Sequence, residues 1–317
     1  MTDLHSAPDD AQAPLEQDSG APACVLCFNA SEPTGASGLG ADISTVAAMG
    51  AHALPICTSV VVRDTAEVFE SQALDADLVV EQARAVLEDI SPSAWKLGFL
   101  GSADVISAVA EIVSDYADIP LVAHLPNLSW LGDDEQMAYL DAFRELILPG
   151  TLVLSGNHKT LTDFLLPEWD AERQPSAREL AVAAAEHGAS YVFVTGIRLP
   201  DQFIDNVLAS PEGAIAGERF ERFEAAFVGA GDTLSAALAA TLSSGTPLDA
   251  AMRARGGHEA FGFNHRGGDR LFHEHIDAGG QQPAEEAPFE LVIGQRHQRG
   301  DQRLRLVEAL LLVQDLG

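Results

Sequence analysis

From Ala23 onward the chain alternates short apolar runs with stretches of helical period, and this alternation limits its possible folds more than any other feature. Strand-helix units of this kind bury both faces of their strands, so they stack as a mainly parallel sheet covered by helices on either side. The pattern predicts a three-layer α/β/α domain. Strands are expected over 24–28, 53–62, 95–100, 120–124, 152–154 and 191–194, with weaker ones at 203–207 and 222–227. Helices are expected over 39–49, from Asp75 or Asp77 to Ile90, from Ser102 to Tyr116, over 133–148, from a Ser176/Glu179 capping box to His187, and over 231–244 and 248–261. Residues 1–22 read as a disordered acidic tail, 23–262 as one domain, and 263–317 as a mobile loop followed by a terminal helix.

Charge narrows the possible partners. The 317 residues include 48 acidic and 18 basic side chains, a formal net charge of −30, and Lys96 and Lys159 are the only lysines. With no basic patch to neutralise phosphates, this charge argues against nucleic acid or an anionic membrane as a partner. An acidic, lysine-poor chain of this kind stays soluble where salt screens its self-repulsion, so a salt-rich source is expected. No apolar run reaches the roughly 18 residues of a membrane helix, and the first 22 residues lack a signal-peptide pattern, so a cytoplasmic protein is expected. Cys24 and Cys27 have metal-like or redox-like spacing but fall on a strand, where residues three apart face opposite ways, and read as buried thiols. The His273-Glu274-His275 run reads as polar surface, and no metal-ligating residue is assigned.

The segment with the most chemistry in it is Gly229-Ala230-Gly231-Asp232-Thr233, directly before an Ala/Leu-rich helix. Small residues at a helix N-terminus leave backbone N–H groups open to an anion, and the helix dipole favours negative charge there. A carboxylate on the first turn can take a proton from an attacking hydroxyl, as phosphoryl transfer to an alcohol requires. Equally, the segment can be a plain glycine turn with Asp232 as an N-terminal helix charge.

Three segments carry a resemblance. GAGDTLSAALAA at 229–240 looks like the GAGD signature of ribokinase-like kinases, Ser31 to Asp42 resembles the stretch near TDPSGGAGIQAD in hydroxymethylpyrimidine kinases, and Lys96 to Ser102 resembles their KLGMLGS segment. Their order and spacing match those of the hydroxymethylpyrimidine and phosphomethylpyrimidine kinases of thiamine biosynthesis, over about residues 24–261. The resemblance implies a ribokinase-like fold and an enzyme that uses ATP and Mg2+ to phosphorylate a small pyrimidine, and a homodimer is expected because related kinases often form one.

By the same resemblance Asp232 is the catalytic base and the backbone of Gly229, Ala230 and Gly231 is the anion hole. Ala30, Asp42, Arg63 and Phe99 would meet the substrate ring, and Asn157, Thr195 and Gly196 the nucleotide. The chain also departs from the family pattern. Arg63 stands where these kinases carry a Gln, and Arg brings a fixed charge and no acceptor. His124 and Thr160 stand where acidic groups are usual, which should weaken the placement of a hard cation, and Lys159 is a candidate to meet a phosphate instead. Two other readings follow: a divergent member that binds a pyrimidine or nucleotide with little turnover, and a pyridoxal-type kinase.

Overall fold

The computed structural model describes residues 21–200, 202–222 and 227–248. Nine strands form one sheet: β1 (Cys24–Ser31), β2 (His52–Arg63), β3 (Val68–Ala73), β4 (Ala94–Leu97), β5 (Leu121–His124), β6 (Val153–Asn157), β7 (Tyr191–Arg198), β8 (Phe203–Ser210) and β9 (Gly213–Glu221). Their order is β3-β2-β1-β4-β5-β6-β7-β8-β9. The six strands from β2 to β7 run parallel, while β3 at one edge and β8 and β9 at the other run antiparallel.

Side chains alternate across the central strands and build two cores. Leu26, Phe28, Trp95, Leu97 and Leu154 face one side, covered by α2 (Ala76–Leu87), α3 (Ala103–Ser114), α4 (Asp133–Ala142), α5 (His158–Leu165) and α6 (Ala177–Glu186). Val25, Cys27, Val122, Val153 and Phe193 face the other, covered by α1 (Gly38–Ala48) and α7 (Ala230–Ser243). Each large apolar side chain buried in this way contributes roughly 1.5–3 kcal/mol, which makes the three-layer arrangement the stable one. Cys24 and Cys27 pack into opposite cores, as strand geometry requires, and both are free thiols.

Local chemistry sets the helix ends. The Asp75 side chain accepts from Asp77 N–H and that of Ser102 from Val105 N–H, while Ser176 and Glu179 form the expected reciprocal capping box. The helix expected over 133–148 is α-helical only to Ala142, then continues as a π turn (Phe143–Ile147) and a 3-10 turn (Leu148–Gly150). Pro149 lacks the N–H that another α turn needs.

Three elements were not anticipated: β3, which is largely exposed, α5, which has only eight residues, and β9, which is rich in Gly and Ala. The strand expected at 222–227 is displaced, because β9 ends at Glu221 and neither Arg222 nor Phe227 belongs to a strand. Residues 223–226, the helices expected over 248–261 and near the C-terminus, the His-rich run and the acidic tail lie outside the described residues, apart from Leu248 and residues 21 and 22.

Candidate active site

The chain leaves β1 for β2 on one side and later returns to place β4 on the other, so the order of the sheet reverses at β1. Crevices open at the carboxyl ends of strands at such a point, and a cleft of about 260 Å³ lies there. Strand ends supply its walls: Asn29 and Ala30 from β1, Val61 and Arg63 from β2, His124 from β5, Asn157 from β6 and Thr195 from β7. The Gly229–Asp232 turn at the head of α7 closes one side.

That turn depends on Gly229, which has φ +78°. A Cβ there would fall 1.7 Å from the Ala36 carbonyl oxygen, so any side chain would push α7 away from the loop before α1. Held this close, Asp232 accepts from the backbone N–H of Gly38 at 2.9 Å through Oδ2. Its Oδ1 accepts from Asn29 Nδ2 at 2.8 Å and from Lys96 Nζ at 2.7 Å. Lys96 also lies 2.7 Å from Asp42 Oδ1, and Asn29 Nδ2 donates to Asp42 Oδ2 at 2.9 Å. Asn29 Oδ1 accepts from the N–H groups of Ala30 and Phe99 at 2.9 and 3.0 Å. Gly98 makes room for this amide, because a Cβ there would fall 2.3 Å from it.

Burial gives these contacts their strength. The side chains of Lys96 and Asp42 are 0% exposed and that of Asp232 is 14% exposed. Burial alone would raise Asp232, but the charge of Lys96 and the hydrogen bonds from Lys96 and Gly38 hold its carboxyl well below the usual range. Burial likewise opposes the charge on Lys96, and the two carboxylates outweigh it and push the ammonium up. Asp42 goes the other way, pushed up to about 7 by burial against the pull of Lys96. His124, whose ring lies against Gly231, is pushed down to about 4 by burial and is neutral at pH 7.

The expected site residues separate into groups. Asp232, Gly229, Ala230, Gly231, Ala30, Arg63, Phe99, Asn157 and Thr195 all line the cleft. Phe99 forms an aromatic wall with Trp130, their ring centroids 5.1 Å apart, and stacks on Tyr139 at 5.4 Å. Arg63 comes from the β2–β3 hairpin and donates through Nε to the Asp64 carbonyl at 2.8 Å. Asp42 is not in the lining; it lies beneath, paired with Lys96. Gly196 is also outside the lining, with its N–H bonded to Asn206 Oδ1 at 2.9 Å where β7 shifts register against β8. Lys159 pairs with Asp163 across one turn of α5 and is not a cleft residue.

Sequence reading assigned no role to Asn29 or Lys96. Both carried a signal: each is a polar residue inside an otherwise apolar strand, and a buried cation must find anions.

The polar side chains of the cleft are already engaged within the protein. Asn157 uses its side-chain oxygen to accept from Thr160 N–H at 2.7 Å, capping α5, and Thr195 donates to the Gly156 carbonyl at 3.2 Å. Of the two lining carboxylates, Glu32 accepts from the N–H groups of Thr34 and Ser37, both at 2.8 Å, and Asp232 is held by Lys96. Among the described residues no group of three or more His, Cys, Asp or Glu is placed to hold a metal ion. The described side chains therefore do not assemble the oxygen set a hard cation prefers.

Known proteins resemble the chain in sequence and in fold. The chain is 31% identical over 234 residues to the hydroxymethylpyrimidine/phosphomethylpyrimidine kinase of Mycobacterium leprae, covering 71% of this chain and 82% of that one. Among solved structures, an ADP complex of Bacillus subtilis pyridoxal kinase matches with a TM-score of 0.66 at 24% identity, covering 74% of this chain and 89% of that one. The phosphomethylpyrimidine kinase of Clostridium difficile matches with a TM-score of 0.60 at 20% identity, covering 73% and 95%. These two establish the ribokinase-like α/β fold. The family model described as phosphomethylpyrimidine kinase matches residues 32–256, and the chain belongs to that family.

Proposed function

We propose that this cleft transfers the γ-phosphoryl group of ATP to the hydroxymethyl oxygen of hydroxymethylpyrimidine, and then to the phosphate of the product, as steps of thiamine biosynthesis. The observation that carries the reading is Asp232: paired with Lys96 at the head of α7, and open to the cleft beside the Gly229–Gly231 backbone. In the transfer the acceptor oxygen forms a bond to the γ-phosphorus while the bond to the β-γ bridging oxygen breaks. ADP leaves with that electron pair, and the acceptor's proton passes to Asp232. Its Oδ1 already takes two donors, so the remaining lone pair of Oδ2 is the acceptor. The Phe99/Trp130 wall suits a flat ring, and Asn157 and Thr195 suit the nucleotide end. Mg2+ would be held by the phosphate oxygens of ATP. The kinase unit spans residues 23–262, in a cytoplasmic, salt-adapted homodimer.

A second reading, a binder with little turnover, is favoured by His124 and Thr160 in place of acidic groups and by the lack, among the described residues, of a carboxylate set for a cation. One experiment separates the two. ADP release is measured with hydroxymethylpyrimidine, its phosphate, pyridoxal and pyridoxine, on the wild type and Asp232→Asn. Turnover with the pyrimidines is expected, falling by about 10²–10⁴ in the variant while calorimetric binding of ATP changes little. Binding without ADP release, unaltered by the substitution, would establish the binder, and turnover confined to pyridoxal and pyridoxine would move the substrate to that class.

A further inference from the structure

The same two donors serve both buried carboxylates. Lys96 Nζ lies 2.7 Å from Asp42 and 2.7 Å from Asp232, and Asn29 Nδ2 reaches them at 2.9 and 2.8 Å. Resting on the kinase reading, we propose that Lys96 is a positioning residue that keeps Asp232 ionised and aimed into the cleft, and that Asp42 tunes it by competing for Lys96 and Asn29.

The geometry sets the roles. Asp42 cannot meet a substrate, being wholly buried, so it acts on the reaction only through the groups it shares. Lys96 is equally hidden, and its charge is balanced between α1 and α7. A carboxylate that loses an adjacent ammonium in a buried site takes up a proton, and a protonated Asp232 cannot accept one from a hydroxyl. Other titratable groups face the cluster: Cys27 from β1, His124 from β5 and, from α4, Tyr139, whose hydroxyl accepts from Leu100 N–H at 3.0 Å. Burial keeps Cys27 and Tyr139 protonated and His124 neutral at pH 7, so Lys96 is the charged partner that holds Asp232 ionised, and Asp42 acts through the donors that the two carboxylates share.

The test follows the ionisation of Asp232 directly. The whole protein is labelled with 13Cγ-aspartate and titrated by NMR from about pH 3 to about pH 9, with kcat for ADP release measured in parallel. The Asp232 resonance is identified by its loss in Asp232→Asn. In the wild type it stays at its ionised position throughout. Lys96→Met is expected to raise its midpoint by about 3–5 pH units, so that an acid limb enters the kcat profile. Adding Asp42→Asn removes the like charge and brings the midpoint back by about 1–3 pH units. Lys96→Arg, which keeps the charge, retains the wild-type titration. If Lys96→Met does not fold, the double variant carries the test, its midpoint lying above that of the wild type.

An Asp232 midpoint unchanged in these variants, with kcat reduced equally at every pH, overturns the proposal and leaves Lys96 a structural residue. If the wild type releases no ADP while the resonance shifts as stated, the kinase reading falls and the electrostatic assignment stands.

Discussion

Two ion clusters in this molecule have similar bond lengths and opposite consequences. At the surface, Arg173 donates to Glu179 at 2.8 and 2.5 Å, and Glu179 also accepts from Ser176 N–H at 2.9 Å. In the interior, Lys96 meets Asp42 and Asp232 at 2.7 Å. Glu179 is pulled down to about 2 by Arg173 and the Ser176 groups, with little burial to oppose them. Asp42, with equally short contacts, is pushed up to about 7 because burial outweighs its partners. Distance does not rank the two clusters; solvent does. The exposed pair is screened and marginal, whereas the buried one is costly to assemble and costlier to leave half made.

Breaking the inner cluster should have the largest effect. Lys96→Met leaves two buried carboxylates without their cation and is expected to cost about 3–5 kcal/mol in urea unfolding. A loss no larger than that of a surface variant would remove the contrast. Arg63, at the rim of the cleft, is an intermediate case. If the acceptor carries an acid or phosphate, Arg63→Gln should weaken its binding by about 1.5–3 kcal/mol and favour the neutral ring, as read by calorimetry. Equal affinities for all ligands would place the guanidinium outside the binding site.

The inner cluster also has its own pH signature. The folded pKa of Asp42 lies above the unfolded value of about 3.9, so its contribution is fully present below that pH and is lost as pH rises through about 7. Urea midpoints of Asp42→Asn should therefore lose the decline that the wild type shows between about pH 4 and about pH 7. For Glu179 the sign is reversed: its contribution is present above the unfolded value of about 4.3 and is lost as pH falls through about 2. Glu179→Gln should give the smallest effect, a slight drop in melting temperature at low salt that closes in molar potassium chloride. Over the same salt range the wild type should melt higher as its net charge of −30 is screened, while the Lys96→Met deficit persists.

How much of this was legible in the sequence follows from how local each signal is. The Ser176/Glu179 box spans four residues and the Gly229–Asp232 turn also spans four, so both could be read directly. The central strands could be read from their apolar runs, whereas β3 and β9 lie near the edges with exposed faces and little pattern. The inner cluster could not be read as a cluster. Asp42, Lys96 and Asp232 come from α1, β4 and α7, and only the sheet order brings them together. Asp42 was expected at the ring for the same reason: the motif gives its position in the chain but not its depth beneath the cleft floor.

The lateness of α7 bears on how the protein is made. Asp232 bonds to partners 194, 203 and 136 residues earlier in the chain, and α7 covers Val25, Cys27, Val122 and Val153 at the centre of one sheet face. A ribosome releases the whole sheet before it releases this helix, so until then only α1 covers that face. Contacts of such long separation form slowly, and bare apolar surface invites association meanwhile. Truncation before α7 therefore removes the base and the roof of the core together, and the growing chain depends on its acidic surface, or on a chaperone, to remain apart from its neighbours until the helix arrives.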